Sequence, residues 1–123
     1  MYSERLKLLI PALLWAVIII TVSSIPNLKT PSLDFIAMDK VAHFAEYFIL
    51  GLFLAYGLNK MNIGKREVFW ISACVAGLFG ILDELHQLVV PGRVTDGFDM
   101  LADSIGAFAA SGLFMLKIRK RRI

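Results

Sequence analysis

The sequence predicts an all-α fold: a polytopic membrane protein built as a four-transmembrane-helix bundle, with the N- and C-termini cytoplasmic. The first observation is composition, because hydrophobic residues make up 58% of the 123 residues, whereas a soluble domain has about 45–50%. The second is four separate apolar stretches, and the third is the uneven distribution of Lys and Arg along the chain. Four spans of about 20 residues with their connections use up the chain. We therefore expect a single transmembrane domain over residues 1–123.

The apolar stretches cover residues 6–22, 41–58, 68–85 and 98–116. At a rise of 1.5 Å per residue, each reaches about 26–29 Å, close to the hydrocarbon thickness of roughly 30 Å. The first stretch also resembles a secretory signal, since Val22 and Ser24 offer a small-residue cleavage site. Pro26 directly beyond that site disfavours processing, so we expect the first stretch to remain as a span.

The basic residues predict the orientation. With a cytoplasmic N-terminus, ten of the thirteen Lys and Arg residues fall at the inner ends and loops, and eight of the ten acidic residues fall toward the outer side. This distribution follows the positive-inside rule. The C-terminal tail KIRKRRI directly follows a span, which favours a stop-transfer flank near anionic lipid over nucleic-acid binding. The predicted partner is the lipid bilayer, and no nucleic acid is expected.

Polar clusters flank three of the spans on the predicted outer side. The second span begins with DKVAHFAEY, the third ends with DELHQ, and the fourth begins with DGFDMLAD. A charged side chain within the hydrocarbon costs about 2.5 kcal/mol or more, so these groups should face one another or water. The predicted polar pocket consists of Asp39, Lys40, His43, Glu46, Tyr47, Asp83, Glu84, Gln87, Arg93, Asp99 and Asp103. Because acids outnumber bases, some carboxylates should be protonated, solvated or bound to a cation.

Small residues at four-residue intervals predict close contact between the third and fourth spans. They are Ser72, Ala76 and Gly80 on the third span, and Ala102, Gly106 and Ala110 on the fourth. Such spacing lets helix backbones approach each other closely, and it serves ordinary packing as well as function.

Three segments, DKVAHFAEYFILG, GILDELHQLVVPGR and DGFDMLADSIGA, resemble in order and spacing the signature segments of the VanZ-like membrane proteins. The resemblance implies a small polytopic bacterial protein of the cytoplasmic membrane, with its signature residues toward the extracytoplasmic face. The family's namesake is associated with resistance to teicoplanin, a glycopeptide that targets cell-wall precursors. The matching positions are Asp39, Lys40, His43, Tyr47, Asp83, Glu84, Gln87, Pro91, Arg93, Asp99 and Gly106. Asp103 departs from the pattern, because the family often has Asn there, and this leaves the ligand open.

The leading function hypothesis is a binding or protective protein that engages a lipid-linked cell-wall precursor or another envelope component. Arg93 and Lys40 would suit a phosphate, and the carboxylates would accept hydrogen bonds from sugar or peptide groups.

Two other functions stay open. An enzyme acting on a lipid-linked phosphate or sugar would use His43, His86, Glu84 and the aspartates with a divalent cation or as acid and base. The chain has no HExxH or GxSxG motif, so His43, Glu84 and Asp99 are only weak metal candidates. A small proton-coupled transporter would use the same buried carboxylates.

A purely structural role is the alternative to all three functions, since polar groups within membranes also tie helices together. This role is favoured for His86 and Asp96, which we expect in the connection after the third span. Function is favoured for Glu84, His43, Asp99 and Arg93, because their convergence from separate segments exceeds what tying helices requires. The sequence does not predict the oligomeric state or a specific cofactor.

Overall fold

The computed structural model describes residues 2–26 and 35–121, with side chains for residues 3–26 and 39–121. The helices are α1 (Tyr2–Leu6), α2 (Ile10–Ser23), α3 (Phe35–Asn59), α4 (Lys65–Gln87) and α5 (Gly97–Lys120), and a 3₁₀ turn at Lys7–Leu9 joins α1 to α2. These residues contain no β-strand. Four segments in the described ranges are long and apolar enough to cross a membrane, namely Ser3–Ser23, Asp39–Asn59, Lys65–Gln87 and Gly97–Lys120. Each contains one predicted apolar stretch, so the predicted all-α fold with four spans is confirmed.

The helices extend beyond the apolar stretches. Helix α3 begins at Phe35, six residues before the second apolar stretch. Residues 27–34, between the first two stretches, lie outside the described part of the chain. His86, which we expected in the connection after the third span, lies in the last turn of α4. A helix continues as long as its backbone hydrogen bonds form, whether the side chains are polar or apolar. Hydropathy alone therefore assigns polar residues at the end of a helix to the following loop.

Pro11 accounts for the interruption of the first span. Proline has no N–H and cannot donate to the carbonyl four residues earlier, which here is that of Lys7. The N–H of Ile10 bonds the Lys7 carbonyl instead, in the tighter three-residue pattern. The first span is therefore an α-helix, one 3₁₀ turn and a second α-helix.

Helices α3, α4 and α5 pack on one another, and α2 packs mainly on α3. Glycines allow the closest approaches. A Cβ added to Gly106 of α5 would overlap the backbone carbonyl of Phe44 on α3, and one added to Gly80 of α4 would lie 2.7 Å from the Cβ of Asp103 on α5. The small residues predicted to mediate contact are buried in α4 and α5, apart from the half-buried Ala102. Small side chains thus let α5 approach both α3 and α4.

The two ends of the bundle differ in character. At the polar end α2 and α4 finish and α3 and α5 begin. Most of the described acidic residues lie there, whereas Glu4 and Glu67 lie at the opposite end. At the basic end, Arg5 donates to the carbonyl of Met61, 3.4 Å away, and this bond joins α1 to the connection between α3 and α4. Between the ends, many large apolar side chains point outward, including Leu13, Leu78 and Leu101. Such outward faces suit acyl chains, and the chain is a multi-pass membrane protein.

Candidate functional site

His43 lies at the centre of the polar end, among carboxylates from three helices. Its Nδ1 is 2.9 Å from Oδ1 of Asp103 and 3.6 Å from Oε1 of Glu84. Its Nε2 is 3.6 Å from Oδ2 of Asp99 and 3.9 Å from Oδ1 of Asp39. Each ring nitrogen therefore faces two carboxylates, which brings the start of α5 and the end of α4 together against α3.

Lys40, the residue after Asp39, forms a second group of contacts with carboxylates. Its Nζ lies 2.7 Å from Oδ2 of Asp96, forms an ion pair with Asp99, and lies 3.7 Å from Oδ2 of Asp39. The single ammonium is thus shared among three aspartates. These aspartates make Lys40 a poor binding group for a further anion.

Asp96 connects the Lys40 network to the start of α5. As the N-cap residue, it accepts through Oδ1 from the N–H of Phe98, at 2.8 Å. Its own N–H donates to Oε2 of Glu84 at 3.4 Å. The hydrogen bond from Lys40 holds the pKa of Asp96 below its usual range. We expected Asp96 to have a structural role, and the cap is structural, but the residue also contacts the acidic cluster.

Three buried carboxylates each retain an oxygen that accepts no hydrogen bond from the described residues. These oxygens are Oδ1 of Asp83, Oε1 of Glu84 and Oδ2 of Asp103. The other oxygen of Asp83 accepts from the hydroxyl of Tyr47 at 3.1 Å. Since a buried acceptor without a donor costs about 1–3 kcal/mol, these oxygens favour a proton, a cation or a ligand that donates hydrogen bonds.

The end of α2 is held by contacts from Gln87, His86 and Arg93. Nε2 of Gln87 donates to Oγ of Ser23 at 3.1 Å, and Nε2 of His86 lies 3.0 Å from Oγ of Ser24.

The guanidinium of Arg93 donates to two backbone carbonyls, that of Ile25 at 3.1 Å and that of Val22 at 2.6 Å. A cation at the C-terminus of a helix satisfies carbonyls that have no partner within the helix. Among the described residues, Arg93 pairs with no carboxylate. The guanidinium of Arg93 is therefore occupied by carbonyls at and just beyond the C-terminus of α2.

A cavity of about 200 Å³ opens between α2, α3 and α4 beside this network. It is lined by Ile19, Val22, Ser23, Asp39, Ala42, His43, Glu46, Asp83, Gln87 and Arg93. The backbone carbonyl of Glu46 accepts from the indole of Trp15 at 2.8 Å, which holds α2 against α3 below the cavity. Pockets for drug-sized ligands hold about 300–1,000 Å³, so this cavity fits a head group, a sugar ring or an amine.

Acidic side chains outnumber basic ones at the polar end. Its acidic residues are Asp39, Glu46, Asp83, Glu84, Asp96, Asp99 and Asp103, and the bases in contact with carboxylates in the described part of the chain are Lys40 and His43. Such an environment attracts cations and hydrogen-bond donors and repels free anions.

Two sets of side chains place potential metal ligands close together. They are Asp39, His43 and Asp99, and His43, Glu84 and Asp103, with the ligand atoms of each set within 4.8 Å of one another. One imidazole with two carboxylates suits a divalent transition metal. The weak metal candidates predicted from the sequence are divided between the two sets, and His43 belongs to both.

The predicted pocket residues lie at one end of the bundle, but they do not all face the same space. Most line the cavity or surround His43 and Lys40, Tyr47 is buried against Asp83, and Gln87 and Arg93 hold α2. Sequence reasoning missed Asp96 as a partner of Lys40, although an Asp just before a helix is a recognisable N-cap signal. It also missed Ser23 and Ser24, whose positions carried no such signal.

Comparison with known proteins agrees with the three signature segments. The family model VanZ/LLP1 matches residues 3–118, which is nearly the whole chain. The match contains the first three spans and all but the last two residues of the fourth. Neither a curated protein nor a solved structure matches the chain. Since the matched region contains the acidic cluster, Lys40, Arg93 and the helices that hold them, the chain belongs to the VanZ-like family.

Proposed function

We propose that the chain is a protein of the bacterial cytoplasmic membrane that binds the polar head group of a lipid-linked cell-envelope component. In this proposal the polar end faces away from the cytoplasm, as the distribution of Lys and Arg favours. The basic end then lies in the cytoplasm with both termini. The observation that carries the proposal is the cavity of about 200 Å³, which is lined by carboxylates and borders the acidic cluster.

The chemistry of the cavity favours a head group rich in donors. Glu46 and Asp83 line it, and Oδ1 of Asp83 accepts no hydrogen bond from the part of the chain that the structure describes. Hydroxyl groups of a sugar or an amino group of a peptide would donate to these oxygens. Lys40 is already shared among aspartates and Arg93 is held by carbonyls. These contacts favour recognition through sugar or peptide groups over recognition through phosphate.

The direct test is binding of a purified lipid-linked cell-wall precursor in detergent, compared with the same polyprenyl phosphate without sugar and peptide. We expect the precursor to bind more tightly, because only it offers donors to the carboxylates. Glu46→Gln removes a carboxylate that lines the cavity, and a charge-assisted hydrogen bond is worth about 1.5–3 kcal/mol, or roughly 10- to 100-fold in affinity. Glu67→Gln, an exposed change at the basic end, is the matched control. Equal binding of both lipids, or equal loss in both variants, would remove the case for the cavity.

A role in glycopeptide resistance depends on the identity of the component. If it is a cell-wall precursor, the bound head group is shielded from glycopeptides. Expression should then raise the teicoplanin concentration needed to stop growth, and Glu46→Gln should abolish the increase. An unchanged inhibitory concentration would separate head-group binding from resistance.

A second candidate function is a metal-dependent enzyme that acts on a lipid-linked phosphate or sugar. It is favoured by the set His43, Glu84 and Asp103, whose potential ligand atoms lie within 4.8 Å of one another. Oε1 of Glu84 and Oδ2 of Asp103 accept no hydrogen bond within the described ranges, and neither side chain has exposed surface. A divalent cation there would act as a Lewis acid or activate water. His43, Glu84 and Asp103 would hold it.

Metal content of the purified protein tests this second candidate independently of activity. We expect near-stoichiometric divalent metal in the wild type and a large loss in Glu84→Gln. Glu67→Gln should keep the full content. A folded, metal-free wild type after growth and purification with added zinc or manganese would argue against it.

A further inference from the structure

A second cavity, of about 640 Å³, lies toward the basic end between α2, α3 and α5. This volume falls within the roughly 300–1,000 Å³ of pockets that enclose a ligand. We call it the basic-end cleft. Its walls include Pro11, Leu52, Phe53, Tyr56, Leu113 and Phe114.

The packing of the helices explains why this cleft exists. Helix α5 packs on α3 and α4, while α2 packs mainly on α3. The outer face of α3 is therefore flanked by α2 and α5 without being filled by either. Pro11 lines the cleft where α2 begins, just after the 3₁₀ turn.

Three cations line the same cleft. They are Lys60 just after α3, Lys117 in the last turn of α5 and Arg121 just beyond it. Nζ of Lys60 lies 5.7 Å from the ring centroid of Tyr56, which also lines the cleft. Within residues 3–26 and 39–121, none of the three forms an ion pair with a carboxylate. The cleft thus combines an apolar wall with positive charge that no carboxylate among the described residues neutralises.

We propose that the basic-end cleft binds one molecule of an anionic glycerophospholipid. One acyl chain lies against Phe53 and Leu113, and the phosphate lies among the three cations. Arginine binds phosphate through paired N–H donors, and lysine binds it as a point charge. A zwitterionic lipid brings a cationic group into the same place and is bound less well. This proposal does not depend on the function proposed for the polar end.

Lipid retention tests the proposal on the full-length protein. The protein is released from nanodiscs containing equal amounts of phosphatidylglycerol and phosphatidylcholine, and the lipids that remain are counted by native mass spectrometry. We expect one phosphatidylglycerol to be retained in preference to phosphatidylcholine. Each basic residue near an anionic lipid contributes about fivefold in affinity, so the combined variant Lys60→Gln, Lys117→Gln, Arg121→Gln should lose this preference.

The matched control removes the same charge from the same end outside the cleft, with Lys65→Gln, Arg66→Gln and Lys120→Gln. All three are exposed, and none lines the cleft. This variant should retain the lipid. Equal loss in both combined variants would mean that diffuse surface charge attracts the lipid, and absence of a preference in the wild type would overturn the proposal outright.

Three single changes keep the test decisive if the combined variants fold poorly. Lys117→Gln should weaken retention about fivefold, whereas Lys120→Gln should not. Leu113→Trp leaves every charge in place but fills part of the cleft, and it should reduce retention of the lipid. Unchanged retention in Leu113→Trp would refute the acyl-chain position.

Discussion

Nδ1 of His43 on α3 lies 2.9 Å from Oδ1 of Asp103 on α5, and no atom of the Asp103 side chain is exposed. Asparagine can replace aspartate in this contact because its side-chain oxygen occupies the same position, whereas alanine leaves His43 without the partner. We predict that Asp103→Asn keeps stability within about 1 kcal/mol, since both partners of the contact remain, and that Asp103→Ala costs about 1–3 kcal/mol. Thermal unfolding of the purified variants measures both. Equal costs would mean that the contact contributes nothing beyond packing.

The contact between Gly80 and Asp103 gives a second prediction. A Cβ at Gly80 would lie 2.7 Å from the Cβ of Asp103, whereas one at Gly77, a turn earlier, would have only Oγ of Ser104 nearby, at 3.9 Å. Gly80→Ala should therefore separate α4 from α5 and destabilise by about 1–3 kcal/mol.

Gly77→Ala is the matched control in the same helix. Alanine favours helix over glycine by about 1 kcal/mol, so this variant should be neutral or stabilised. Thermal unfolding compares the two variants, and a Gly80→Ala protein as stable as the wild type would contradict the observed proximity of α4 and α5.

Asp96 should make stability depend on pH in the acidic range. Its pKa is held below the usual value in the folded protein, so its ionised form stabilises the fold above about pH 4, the unfolded value. That contribution disappears as pH falls further, through the lower folded pKa. We predict that the wild type exceeds Asp96→Asn in melting temperature by a constant margin from pH 7 to 5, and that the margin shrinks below about pH 4.

Asp96→Ala separates the two roles of this side chain. Asparagine still accepts from the N–H of Phe98, while alanine removes the cap as well as the charge. Alanine should therefore be the more destabilising change at pH 7. A margin between wild type and Asp96→Asn that grows on acidification would contradict the role assigned to Lys40.

Arg93 should control how closely the end of α2 is held. Arg93 donates hydrogen bonds to the carbonyls of Val22 and Ile25, and replacement by Gln removes at least one of them. A hydrogen bond from a charged group contributes about 1.5–3 kcal/mol, and less where water competes for it. We predict that Ser23→Cys, at a buried position, reacts several-fold faster with a maleimide when Arg93→Gln is also present.

Ser24→Cys is the control, because Ser24 is already exposed and should react equally in both backgrounds. Cys74 is exposed as well, so Cys74→Ala belongs in all these variants. An unchanged rate at position 23 would show that other contacts hold α2.

Part of this architecture was predictable because helical periodicity is simple. Asp39, His43 and Glu46 recur at intervals that place them on one side of α3, and all three line the cavity. Hydropathy located the four spans, since length and apolar content alone identify them. The contacts of Arg93 were not predictable, because backbone carbonyls have no sequence signal. The bridge from Lys40 to Asp96 likewise depends on how α5 is tilted against α3.

Gly106 and Phe44 meet backbone to backbone beside the pair formed by Asp103 and His43. Such a contact has no rotatable side chain that could lengthen or shorten it. When the surrounding bilayer becomes thicker or thinner, α3 and α5 should tilt together as one rigid unit. The spacing between the imidazole and the carboxylate should then change little with lipid composition.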